Sequence, residues 1–242
     1  MLDTKGVSNE SIDELMSNSK LPGRRANLEL MWQFAKKATK DEIESCLSYK
    51  GCDLDNTPEE FVVMCGVLGF CVRSKNNPQF ALKGIEEFAN SSSWRVREAS
   101  AMGIQELLTL SAEDVLQILD EWSSRNERYK RCIIAGLCEP KNLKSKDILE
   151  RAFYYLGKFT EEFDLISTKL TEDQKILRKA LGYAWSVAMV EDLDQGKSLF
   201  ERFVESENKN IRWIVKNNLK KNRLQKIDIT WVETCLEKVE KQ

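Results

Sequence analysis

The chain contains no histidine. That excludes a Ser-His-Asp or Cys-His triad and any metal site built on imidazole. Proton chemistry would fall to Asp, Glu, Lys, Tyr or Cys. Proline and glycine are scarce, 4 and 11 among 242 residues, which favours helices with short turns over a many-turned β protein. No apolar run approaches the roughly 20 residues needed to span a bilayer. The N-terminal stretch MLDTKGVSNESIDEL lacks the basic-then-apolar pattern of a leader, so the expectation is a cytoplasmic protein with no membrane partner. No CxxC pair exists among the 7 cysteines, although Cys46/Cys52, Cys65/Cys71 and Cys132/Cys138 each lie six apart. Most sit among apolar residues, as in CGVLGFCV, and are expected to be reduced, buried thiols. Zinc is not expected without closely paired ligands, and no cofactor is implied.

What the chain does have is a recurring helical unit. Its clearest copy is WRVREASAMGIQELL, Trp94 to Leu108. Ser91 to Ser93 offer an N-cap before it. Val96, Ser100, Ile104, Leu107 and Leu108 then fall on one face, with Arg97 and Glu98 off that stripe. With the apolar-basic-x-x-apolar start at Val96-Arg97 as template, comparable helix openings fall at Arg24-Arg25, Phe61-Val62 (without the basic residue), Val96-Arg97, Tyr129-Lys130, Leu177-Arg178 and Ile211-Arg212, at intervals of 37, 35, 33, 48 and 34 residues. A period near 35 with one insertion, roughly Lys158 to Thr171, is the mark of a repeat architecture. Polar amphipathic segments lie between: Thr39 to Leu47, Asn77 to Ala89, Ser111 to Trp122, Asp147 to Gly157 and Asp194 to Val204. Helix pairs of this length bury a face only by stacking. The predicted fold is all-α, one right-handed HEAT-like solenoid of about six helix pairs over residues 1–242.

Three constellations could carry function. The first is a row of cations at equivalent repeat positions, Arg25, Arg97, Lys130, Arg178 and Arg212. Such a row could follow a phosphate backbone, or form an internal ladder with carboxylates such as Asp120, Glu121 and Glu127. The second lies between Glu207 and Asp228, where Lys209, Arg212, Lys216, Lys220, Lys221, Arg223 and Lys226 occur without an acid. Lys216, Lys220 and Arg223 are at helical spacing. They form a patch for nucleic acid or another anionic partner, or a solvated last helix whose cations suit its C-terminal end. The third is Trp94 with Glu98, one turn apart, together with Tyr183 and Trp185. An aromatic wall and a carboxylate could hold a cationic base and steady an oxocarbenium. Otherwise Trp94 packs between repeats and Glu98 is a first-turn acid.

The strings WRVREASAMGIQ, Cys138-Glu139-Pro140, LRKALGYAWSVA and IRWIVKNNLKKNRL resemble a group of bacterial HEAT-repeat proteins related to the HEAT-like alkylpurine DNA glycosylases, the DNA alkylation repair family. Lys179 to Tyr183, KALGY, is similar to that family's Lys-Ala-Ile-Gly-Trp, which puts Tyr183 at a functional tryptophan. Trp94-x-x-x-Glu98 resembles its Trp-x-x-x-Asp, with glutamate at the catalytic aspartate, and Arg131 falls near its DNA-contacting arginine. The resemblance implies duplex DNA as partner and, in the enzymatic form, excision of alkylated purines with Glu98 as the key carboxylate. A glutamate is one methylene longer than the aspartate. The expectation is therefore a non-catalytic scaffold for duplex DNA or for another protein, with Glu98 in an ion pair and Trp94 largely buried.

Overall fold

A computed structural model describes the backbone of residues 6–241 and the side chains of residues 11–241. The first five residues of the N-terminal stretch read above lie outside the described residues. Among the described residues the chain is all-helical, with fourteen α-helices, two 3₁₀ turns and no strand. It divides into two compact units, residues 1–118 and 119–242.

In unit 1 the helices are α1 (Gly6–Ser17), α2 (Leu28–Lys37), α3 (Lys40–Ser48), α4 (Pro58–Arg73), α5 (Pro78–Ala89) and α6 (Trp94–Leu108). The core is built on α4, which packs against α2, α3, α5 and α6. Its sequence PEEFVVMCGVLGFCVR is apolar all round, as a helix covered on every side requires, and Glu60 to Gly69 are all buried. Thr57, Asn77 and Ser93 cap α4, α5 and α6 through their side-chain oxygens. Thr39 and Glu42 form a reciprocal capping box on α3. There the Thr39 backbone N–H holds the Glu42 carboxyl below its ordinary value, against the effect of burial. The expected helix opening at Arg24-Arg25 is corrected: Asn27 caps α2, so Arg24 and Arg25 lie in the preceding loop.

Helix α7 (Ala112–Trp122) contains the boundary between the units. Unit 2 continues with α8 (Glu127–Leu137), α9 (Lys146–Glu161), α10 (Glu172–Ala188), α11 (Leu193–Val204), α12 (Lys209–Leu219), α13 (Asn222–Ile227) and α14 (Ile229–Glu240). Here α10 is central, packed against α8, α9, α11 and α12, and α12 packs in turn on α14. Part of the insertion expected after Lys158 extends α9 to Glu161, followed by a 3₁₀ turn, Glu162–Leu165. Within each unit alternate helices stack on one another while the intervening ones pack beside them.

Six cysteines are buried and Cys52 is exposed. Burial pushes the Cys46 and Cys138 thiols up to about 12, so neither is a ready nucleophile. Among the described residues no group of acids and cysteines is arranged to hold a metal ion, and no helix is long and apolar enough to cross a membrane.

Candidate nucleic-acid interface

The basic row is spoken for inside the fold. Lys130 Nζ lies 2.5 Å from Glu162 Oε2. Arg178 donates to Asn210 Oδ1 at 2.7 Å, and Arg212 to the Val239 carbonyl at 3.0 Å. Arg97, expected off the buried stripe, is only 4% exposed. It donates to the Ser91 and Ser92 carbonyls at 2.5 and 2.8 Å, closing the chain end that follows α5. Arg25 is exposed, but outside a helix. Of the row, Lys130 meets a carboxylate, whereas Arg178 and Arg212 are held by neutral oxygens. Asp120 instead accepts hydrogen bonds from Arg151 and the Tyr155 hydroxyl. Burial alone would raise its carboxyl; these two donors outweigh it and hold the group below its ordinary value.

The most deeply buried ion pair among the described residues was not anticipated. Glu60 on α4 takes Arg95 NH1 on one oxygen at 2.9 Å and the Ser93 hydroxyl on the other at 2.5 Å. Arg95 NH2 also donates to the Gly23 carbonyl at 2.7 Å. Both side chains are nearly inaccessible, 7% and 1% exposed.

Two aromatic expectations are corrected. Trp94 is 54% exposed rather than buried. It opens α6 ahead of the first core residue, Val96, and the Arg95 guanidinium lies 4.6 Å from its ring centroid. Glu98, one turn on, is half-buried and is not a free carboxylate. Trp185 is inaccessible and cannot face a ligand. It packs against Phe153, Phe200 and Phe203, and its indole N–H donates to Thr160 Oγ1 at 3.1 Å. Arg131 on α8 and Tyr183 on α10 are half-buried and engaged.

The C-terminal cluster is different. Ile211, Ile214, Val215, Asn218 and Leu219 of α12 are buried. Lys209, Trp213, Lys216 and Lys220, at i, i+4, i+7 and i+11, share a separate stripe. Lys209 and Lys220 are exposed; Trp213 and Lys216 are half-buried. The continuous helix expected through Arg223 does not form: α12 ends at Leu219 and α13 begins at Asn222. In one unbroken helix Leu224 would lie about 140° round from Leu219. The break re-phases the chain, and Leu224 is 1% exposed. Arg223 and Lys226 then project from α13, exposed. Among the described residues none of Lys209, Lys216, Lys220, Lys221, Arg223 and Lys226 has an ion-pair partner, whereas Lys130, Arg151, Lys197 and Arg202 of the same unit do.

Trp213 is the residue that sequence reasoning passed over. The Arg178 guanidinium lies 4.6 Å from its ring centroid. Its other neighbour is the backbone of α10 at Gly182, where a Cβ would come within 2.7 Å of Trp213 Cζ3. Asn218 stitches the same two helices, donating to the Leu181 and Ile214 carbonyls and accepting from the Ser186 N–H. The interleaving of lysines with Trp213 at helical spacing was the available signal. Comparison of the chain with protein-family models, with curated proteins and with solved structures gives no match.

Proposed function

We propose that the protein is a non-catalytic scaffold of HEAT-like helix pairs that holds DNA through the cations of α12 and α13. The observation that carries this reading is the contrast just described. Lys130, Arg151, Lys197 and Arg202 of unit 2 are held in ion pairs, while six cations clustered in sequence, Lys209, Lys216, Lys220, Lys221, Arg223 and Lys226, have no ion-pair partner among the described residues. Exposed lysines and arginines without acid partners release phosphate counterions on binding, and each phosphate so neutralised steepens the salt dependence. The basic row contributes less than its spacing suggests, because Lys130, Arg178 and Arg212 already have acceptors. Lys216→Glu/Lys220→Glu/Arg223→Glu should weaken binding to duplexes of any sequence. It should also flatten the plot of log K against log salt by roughly 0.9 for each phosphate that is no longer neutralised. A wild-type protein that binds no duplex at low salt would end this reading.

The alternative, excision of alkylated purines, draws on one observation: the exposed ring of Trp94 one turn from Glu98. Base release that disappears in Glu98→Gln, with the fold intact, would favour it.

A further inference from the structure

Helices α9 and α11 of unit 2 leave a cleft of about 550 Å³ between them. The ion pair of Arg202 with Glu161, at 2.8 Å, joins their C-terminal ends, so the two run in the same direction. Phe153, Tyr154 and Leu199 give the cleft an apolar middle. Tyr154 is 56% exposed, whereas Tyr155 and Phe159 of the same helix are inaccessible. Its ring stands edge to face with Tyr155, centroids 5.2 Å apart, which holds a large apolar group ready for contact at little cost in side-chain freedom.

The polar residues of this face are divided by sign. Exposed Asp147 and Glu150 lie at the N-terminal end of α9. Glu150 meets Lys146 in an exposed contact at 3.7 Å, a kind of pair that contributes little. The C-terminal end carries Lys158 and the Arg202–Glu161 pair. Lys158 donates to Ser123 Oγ at 3.1 Å and has no ion-pair partner among the described residues. Glu150, Tyr154 and Lys158 fall at i, i+4 and i+8, within a sector of roughly 80°. Charge therefore reverses sign about Tyr154. A second α9 laid antiparallel and centred on Tyr154 meets acid with base twice: Glu150 faces Lys158 of the second copy, and Lys158 faces its Glu150. The same half-turn sets the Arg202–Glu161 pair of one copy opposite Gln195 and Asp147 of the other. A twofold contact requires one patch that complements itself, and this patch does.

We infer that the α9–α11 face is an isologous contact between two copies of this chain, with Tyr154 against Tyr154 on the twofold axis. A face two helices wide and about three turns long falls under the roughly 1,200 Å² below which complexes are weak, so the dimer forms only at high protein concentration. It is independent of the polyanion reading, since α9 and α11 carry none of the cations of α12 and α13.

The test is sedimentation velocity of the full chain at rising concentration and low salt. The weight-average mass should climb toward that of two chains. Tyr154→Glu should weaken association at least about thirtyfold, the effect of losing a central aromatic anchor. Glu150→Lys and Lys158→Glu each create two like-charge contacts across the axis, and each should weaken self-association about tenfold. Mixed together, the two single variants should associate as the wild type does, because every lysine of one then faces a glutamate of the other. Glu150→Lys/Lys158→Glu should recover self-association for the same reason, which guards against a folding defect in either single variant. A wild type that stays monomeric up to about 1 mM, the weak limit of measurable affinity, would overturn the inference. So would a dimer that Tyr154→Glu leaves intact, by moving the contact to another surface. Single variants that fail to associate when mixed, with helical circular dichroism unchanged, would overturn the antiparallel register.

Discussion

In unit 1 the arginine that ties two stacked helices meets a carboxylate; in unit 2 it meets an amide. Arg95 of α6 reaches back to Glu60 of α4, and Arg178 of α10 reaches forward to Asn210 of α12. Both ties cross between alternate helices, and in both the guanidinium lies 4.6 Å from a tryptophan centroid. Mechanically the two joints are alike. Electrically the first is closed, because Glu60 is satisfied by Arg95 and Ser93 with almost no solvent access. The second leaves its positive charge uncompensated at a half-buried position, beside lysines that also lack partners. Burial draws the Arg178 pKa down from its ordinary value, though an arginine stays protonated. A seam held by a neutral acceptor can therefore hold the fold and still attract an anion.

The largest effect that would break this contrast belongs to Glu60. Glu60→Ala strands the buried Arg95 charge, and unfolding in urea should show a loss of about 3–5 kcal/mol. Glu60→Ala/Arg95→Met should recover most of it. A loss below about 1 kcal/mol would mean that the joint in unit 1 is not the closed pair described.

A smaller effect is expected in unit 2. Arg178→Met removes one hydrogen bond to a neutral acceptor and one cation–ring interaction, at about 1–2 kcal/mol. A destabilisation equal to that of Glu60→Ala would erase the distinction between the joints.

The smallest effect concerns Asp120, whose side chain is 45% exposed and whose partner Arg151 is 35% exposed. Asp120→Asn should cost about 0.5–1 kcal/mol after solvent screening. The carboxyl's pKa in the fold lies below its ordinary 3.8. Its stabilisation is therefore complete above that value and is lost as pH falls through the lowered one. Urea titrations of wild type and Asp120→Asn should run parallel at neutral pH and converge in acid. A gap that persisted at low pH would show that geometry, not charge, holds this tie.

The helices were legible because their signals are local. Ser93 caps α6, Asn77 caps α5, and the apolar stripe of Val96, Ile104 and Leu107 is buried as its spacing demands. The charged ties were not legible, because partner choice is a long-range matter. Glu60 lies 35 residues from Arg95, and nothing in either local pattern distinguishes Arg95 from Arg97. The end of α12 was hidden for a third reason. No proline or glycine marks it; the break goes with the burial of Leu224, a long-range matter of packing. Trp185 misled in the opposite direction, since an aromatic beside Tyr183 reads as a site residue until its ring is seen among three phenylalanines.

Gly182 gives one residue control over how far an aromatic ring stands out of the protein. A glycine inside a helix costs about 1 kcal/mol against alanine, and α10 bears that cost at the point where Trp213 seats. A single methyl there would come within 2.7 Å of Cζ3 and 3.2 Å of Cη2 of the indole, and the ring would have to swing outward. Such a change alters no charge and removes no hydrogen bond, and it favours the helix that makes it. The reach of the indole and the electrostatics around it are thus separately adjustable, the first by a hydrogen-for-methyl exchange on the neighbouring helix.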